Sequence, residues 1–232
     1  MSIRVYLLRH GETEWSLDGR HTGLTEQTLT ARGEDEARKL GTRLPKDNFF
    51  QVLSSPRLRA RRSAELMGLA AVVEIDPELA EWNYGDYEGR RTSEIRKSRP
   101  GWDIFRDGCP GGETPPQISI RADRVIARLR SHEGVIALYS HSHFGRVLGA
   151  RWIGLDVAVA AHLALDTTSL SILEWNSQSL PEARIALWNA EAAQLCDVHV
   201  PLGDTRSMKQ RALERWENEG GELPPRSSGV VS

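Results

Sequence analysis

Short apolar runs that stop abruptly on polar residues recur along this chain, and no other feature constrains its fold as much. Ile3 to Leu8 is rich in β-branched and apolar residues and breaks off at Arg9-His10-Gly11, as a buried strand does when it delivers polar groups at its C-terminal end. Val135 to Tyr139 repeats the pattern and runs into Ser140-His141-Ser142-His143. Open α/β sheets keep their sites at such strand ends. Helical stretches separate the strands. Thr30 to Leu44 has an N-cap in Thr30 and Pro45 just past its end. Gln51 to Ser54 reads as a short strand, Ser55-Pro56 as a helix start, Arg57 to Leu69 as the helix, and Val72 to Ile75 as another strand. Gln117 to Arg130 and Phe144 to Ile153 are helical, and Ser169 to Glu174 with Arg184 to Trp188 reads as a closing hairpin.

This alternation predicts an α/β fold, a three-layer sandwich whose mostly parallel central sheet is flanked by helices. Residues 81–116 have little periodicity and are dense in Gly, Pro, Trp and charge. They read as an irregular excursion over the site rather than as core, with a role in shaping a substrate. The reading is one domain over residues 1–217. The remainder, 218–232, with Gly-Gly, Pro-Pro and Ser-Ser, is expected to be a flexible tail.

A formal net charge of -2 argues against a domain that holds nucleic acid by counterion release. Any anionic ligand must then be captured locally. Cys109 and Cys196 supply neither a disulfide framework nor a zinc pattern, so reduced thiols and a cytoplasmic location are expected. No run of 18 apolar residues suggests a membrane span.

The densest chemical signal is Leu8-Arg9-His10-Gly11-Glu12-Thr13-Glu14-Trp15. A neutral imidazole nitrogen is a competent nucleophile towards phosphorus, an adjacent guanidinium grips non-bridging oxygens, and glycine lets an anion approach the backbone. Alone, the triplet is more often a surface ion pair beside a satisfied strand-end histidine. Its company changes that: Ser55-Pro56-Arg57-Leu58-Arg59-Ala60 follows the second strand. Leu79-Ala80-Glu81 and Tyr84-Gly85-Asp86-Tyr87-Glu88-Gly89 follow the third, and Ser140-His141 the fourth.

With these four elements the chain resembles the histidine phosphatase, or phosphoglycerate mutase-like, superfamily over roughly residues 3–188. The resemblance implies a phosphoglycerate mutase-like fold and a metal-independent phosphomonoesterase without cofactors. His10 would become the phosphohistidine, Arg9, Arg59 and His141 would bind the phosphoryl oxygens, with the protonation state of His141 left open, and Glu81 would give the leaving oxygen its proton. It also places substrate contacts at Thr22, Gly23 and Tyr84, and at Ser16, Ser142 and His143, where many members carry Asn, Gly and Asn. The run Trp82 to Gly89 and the segment Gly101 to Cys109 look like the sedoheptulose-bisphosphatase-like branch. The expected partner is therefore a small-molecule phosphate ester, a sugar phosphate or bisphosphate such as sedoheptulose 1,7-bisphosphate, with Arg90, Arg91 or Arg106 on a second phosphate. Neither nucleic acid nor membrane is expected, and a homo-oligomer is left open, since mid-chain aromatics read as exposed would serve one. Three other readings compete: a phosphoglycerate mutase, a metal-dependent hydrolase using His141 and His143, and a catalytically silent binding module. Arg57, Arg61 and Arg62 read as a solvated helix face, and Glu88 as a local hydrogen-bond acceptor.

Overall fold

The computed structural model describes residues 2–45, 49–69, 73–176 and 182–196. Val72, the boundary at 217 and the 218–232 tail lie outside them. Elements follow in the order β1 (Ser2–Arg9), α1 (Glu14–Leu17), α2 (Ala31–Gly41), β2 (Gln51–Ser54), α3 (Leu58–Leu66), β3 (Val73–Ile75), α4 (Thr92–Ser98), α5 (Ile104–Asp107), α6 (Pro115–Arg130), β4 (Gly134–Ser140), α7 (Ser142–Trp152), β5 (Leu170–Asn176) and β6 (Glu182–Ala190). The strands form one mixed sheet in the order β3-β2-β4-β1-β5-β6. β3, β2, β4 and β1 pair in parallel, whereas β5 runs antiparallel to both β1 and β6.

Strand periodicity splits the core in two. Ile3, Val5 and Leu7 of β1 face one side with Ile136 and Leu138 of β4, in a cluster completed by α6 and α7. Tyr6 and Leu8 point the other way, where α3 packs on β2 and β4 and α2 packs on α3. Helices therefore cover both faces, which is why the parallel strands read as near-continuous apolar runs.

The local signals account for several helix ends. Thr30 caps α2 by accepting from the Gly33 amide, but the helix stops at Gly41, three residues before the expected Leu44. α3 begins at Leu58 behind Arg57, which makes no side-chain cap, and ends at Leu66 rather than Leu69. α6 starts earlier than expected, at Pro115, because Thr114 and Gln117 close a capping box around the two prolines.

One expectation is overturned. The 81–116 segment is part of the core: Trp82, Tyr84, Tyr87, Ile95, Trp102, Ile104 and Phe105 are all buried in the α6–α7 cluster. Mid-chain aromatics are thus unavailable as an exposed dimer surface. Each large ring buries much apolar area without any helical or strand period, so periodicity could not report it. Their polar edges are satisfied locally, with the indole N–H of Trp82 donating to Glu113 O and that of Trp102 to Gly108 O, both at 2.9 Å.

Gly33 at the start of α2 supports the loop after β1 from behind. A Cβ there would lie 2.4 Å from Glu12 O and 2.6 Å from Glu12 N, backbone atoms that cannot rotate away. Gly33→Ala is expected to destabilise the protein by about 1–3 kcal/mol. Thermal unfolding would show this as a loss of several degrees, on the scale of about 2–4 °C per kcal/mol for a domain of this size.

Candidate active site

Register brings three strand ends together. Arg9 pairs with Ser140 across β1 and β4, and Ser54 pairs with Tyr139 across β2 and β4. One residue further on, His10 lies beside His141 with ring centres 5.1 Å apart, and Ser55 Oγ lies 2.7 Å from His141 Nε2. All three residues are buried.

His10 Nδ1 lies 2.7 Å from the Gly11 carbonyl. That oxygen can only accept, so Nδ1 carries the proton and the lone pair sits on Nε2. Burial first, then the charges of Arg59 and Arg9, hold the imidazole well below the usual histidine pKa. The residue is a neutral base with a fixed tautomer. Its loop is tied to α3, because the Gly11 amide donates to Ser63 Oγ at 2.8 Å and that hydroxyl donates to Arg59 O at 2.7 Å.

The two arginines are held by carbonyls, not by carboxylates. Arg9 donates to Leu165 O, and Arg59 donates to the carbonyls of Thr22, Gly23 and Thr25. Burial lowers both pKa values, with Glu81 the leading opposing charge, yet a guanidinium stays cationic at neutral pH. Among the described residues, Arg9 Nε, Arg59 Nε and His141 Nδ1 are buried without a hydrogen-bond partner. Buried donor-capable nitrogens left unpaired suit an anion.

The protonation state of His141 follows from its surroundings. Burial, then Arg59, His10 and Arg9, push its pKa well below 6.5, so it is neutral rather than protonated. Neutral nitrogen can still donate, provided its proton sits on the right atom.

Glu81 reaches the site from the turn after β3. Its Oε1 accepts from the amides of Trp82 and Phe144, each at 2.8 Å, and its Oε2 from the amide of His143 at 3.0 Å. Two of these amides belong to the first turn of α7, whose N-cap residue His141 contributes no side-chain cap. A carboxylate sixty-odd positions earlier in the chain therefore caps this helix. The Ser140 hydroxyl, donating to Leu79 O at 2.7 Å, fixes the same turn to β4.

A cavity of about 200 Å3 opens on these groups, lined by Arg9, His10 and Glu81. Of the expected substrate contacts it gathers Ser16, Thr22, Tyr84, Ser142 and His143. Arg59, His141 and Gly23 do not line it. The Gly23 amide is committed to both oxygens of Glu88, at 2.9 and 3.1 Å, with the Thr25 amide a second donor; Glu88 is the local acceptor the sequence suggested. Ser16 closes a capping box with Thr13, so its hydroxyl is already engaged with Thr13 N and O. Tyr84 Oη lies 2.7 Å from His143 Nδ1. Burial raises the phenol well above its usual pKa, so it keeps its proton, donates to Nδ1 and leaves the N–H of His143 on Nε2.

Sequence reading missed His21, Thr92 and Ser55. His21 stacks 4.7 Å from the Tyr84 ring and lies 3.3 Å from Thr92 Oγ1. Its one signal was its place beside Thr22-Gly23. Arg90, Arg91 and Arg106 do not line the cavity. Arg91 pairs with Asp18, Arg106 leans on Gly101 O, and Arg90 covers the Tyr87 ring. Among the described residues no group of three or more His, Cys, Asp or Glu is placed to hold a metal ion.

Buried neutral imidazoles link stability to pH. His10, His141 and His143 lie well below 6.5, and burial lowers His21 to about 4. As pH falls below about 6.5 the unfolded chain takes up protons that the folded one refuses, so stability decreases in that direction. For His21 alone the loss from pH 7 to pH 4 is about 3 kcal/mol. Melting temperature recorded between pH 7.5 and 4.5 is expected to fall steadily; a flat profile would contradict the assignment.

An α/β sheet whose strand ends converge on a neutral histidine, two guanidiniums held by carbonyls rather than carboxylates and a helix-capping carboxylate gathers the groups that hydrolysis of a phosphate ester requires. The chain belongs to the histidine phosphatase superfamily (branch 1), whose sequence profile matches residues 5–191. It is 42% identical to an acid phosphatase of Mycobacterium tuberculosis, over 73% of this chain and 85% of that one. It is also 40% identical to the sedoheptulose 1,7-bisphosphatase of Saccharomyces cerevisiae, over 68% and 70%. The solved structure of an open reading frame product from Mycobacterium tuberculosis superposes with a TM-score of 0.75 at 38% identity, covering 82% of this chain and 98% of that one. The chain is a phosphoric monoester hydrolase.

Proposed function

We propose that hydrolysis proceeds through a phosphohistidine on His10, and that the substrates are sugar phosphates or bisphosphates such as sedoheptulose 1,7-bisphosphate. One observation carries the mechanism: the proton of His10 is pinned on Nδ1 by Gly11 O, in a cavity that also holds Arg9 and Glu81. The Nε2 lone pair attacks phosphorus, the bond to the ester oxygen breaks, and Glu81 gives that oxygen its proton. Water then attacks the phosphohistidine, Glu81 takes a proton from it, and the P–N bond breaks to restore neutral His10. Arg9 and Arg59 neutralise the phosphoryl oxygens, which is the greater part of what this transfer requires, so no divalent ion is needed. With Ser55 donating to His141 Nε2, the remaining N–H of His141 sits on Nδ1 and completes the cradle.

The 40% identical yeast sedoheptulose 1,7-bisphosphatase supports the substrate class, as does a cavity wall rich in hydroxyl and imidazole groups. Phosphate release should be measured in EDTA from sedoheptulose 1,7-bisphosphate, fructose 1,6-bisphosphate, 3-phosphoglycerate and p-nitrophenyl phosphate. A sugar bisphosphate is expected to be the best substrate. Isomerisation of 3-phosphoglycerate without phosphate release would favour a mutase instead, and loss of activity in EDTA would refute metal independence.

A further inference from the structure

A second cavity, of about 150 Å3, adjoins the catalytic one and shares His21, Thr92 and His143 with it. Arg96 of α4 and Arg146 of α7 line it, over a wall that includes Phe105. Arg146 donates from Nε and Nη2 to the carbonyls of Ala160 and Ala161, both at 3.0 Å, and its guanidinium lies 4.6 Å from the centre of the Phe105 ring. Arg96 donates from Nε to Trp102 O at 2.9 Å. Among the described residues neither forms an ion pair with a carboxylate. The neighbouring Arg121 and Arg151, by contrast, are held by Glu113 and Asp123. Asp103 is the one acid lining this cavity, and its carboxylate caps α5 by accepting from the Phe105 amide at 2.9 Å.

Position adds direction to this charge. The ester oxygen must leave beside Glu81, and the residue that links Glu81 to the second cavity is His143, whose amide binds the carboxylate and whose ring lines both spaces. Arg146 stands three residues further along α7, on the same face. What lies beyond the ester oxygen is thus led past His143 towards two guanidiniums without acidic partners. Arg146, half-buried and held only by carbonyl dipoles and an aromatic ring, matches the bidentate recognition of phosphate, and Arg96 adds an exposed guanidinium at the rim.

We propose that this cavity is the leaving-group subsite, in which Arg96 and Arg146 bind a second phosphate of the substrate while His143, His21 and Thr92 meet the hydroxyls between. The inference rests on the phosphohydrolase reading above and assigns its specificity to residues other than Arg90, Arg91 and Arg106.

The test compares kcat/KM for fructose 1,6-bisphosphate with that for fructose 1-phosphate in wild type, Arg96→Gln and Arg146→Lys. Wild type is expected to favour the bisphosphate, and each variant to lower that preference about tenfold, chiefly through KM, as loss of one charge-assisted contact requires. General damage to the fold lowers both substrates together and leaves the ratio alone. The proposal is overturned by an unchanged ratio in the variants, or by a wild-type ratio close to one, which needs no variant at all. A carboxylate-specific subsite would show instead as preference for 3-phosphoglycerate over both sugars, and that result also overturns it. Failure of the underlying reading is distinguishable, since it would appear as p-nitrophenyl phosphate hydrolysis that does not depend on His10.

Discussion

His10→Ala is expected to lower kcat for every phosphate ester by about five to six orders of magnitude, the scale seen when a covalent nucleophile is removed. The residual rate over water would come from Arg9, Arg59 and the cavity, which still bind and neutralise a phosphate. The substitution should leave the fold intact. It frees one carbonyl, that of Gly11, at a cost of about 1 kcal/mol, and removes an imidazole whose neutral form burial already enforces. The activity loss would then belong to the chemistry. Rapid quenching of the wild-type protein with labelled substrate should trap label in a form lost in acid and kept in base, as a P–N bond requires. No label should appear in His10→Ala. Activity within tenfold of wild type, or label on another residue, would remove His10 from the centre of the mechanism.

The parts of this site that were legible in the sequence are those written by strand chemistry. Arg9, His10, Ser140 and His141 follow apolar runs, and parallel pairing of β1 with β4 places them side by side. Once two neighbouring strands in a parallel sheet both end in polar residues, their meeting is a consequence of register. Thr30 was legible for a similar reason, since a cap is a contact over three residues. What stayed hidden depends on contacts between distant segments. Glu81 caps α7 from the turn after β3, and nothing local to either segment announces the pairing. Trp82, Tyr84 and Trp102 are buried by tertiary packing of a stretch without periodicity, so their composition read as surface loop. Arg96 and Arg146 carry no signal in the sequence, because the cavity that they share forms only in the folded chain.

The same long-range cap decides how Glu81 should be probed. Glu81→Ala would orphan three amides at once, two of them in the first turn of α7, and would confound chemistry with unfolding. Glu81→Gln keeps the shape. Its carbonyl oxygen can still accept from Trp82 and Phe144, whereas its amide group would meet the His143 N–H donor to donor, a local cost of about 1–3 kcal/mol. The variant should therefore fold and melt a few degrees lower. Its kcat is expected to fall by about 10²–10⁴-fold, the range for losing a general acid and base, but unequally between substrates. An alkyl phosphate needs the proton for its poor leaving group, so phosphorylation of His10 becomes slow and little intermediate collects. p-Nitrophenolate leaves without help, so with that ester the first step survives while water attack, which needs the Glu81 carboxylate as base, limits turnover. Intact-protein mass measurement during turnover should then show phosphorylated enzyme accumulating in Glu81→Gln with p-nitrophenyl phosphate and not with a sugar phosphate. Equal losses on both esters with no accumulation would mean that Glu81 only caps α7, and that the proton reaches the leaving oxygen by another route.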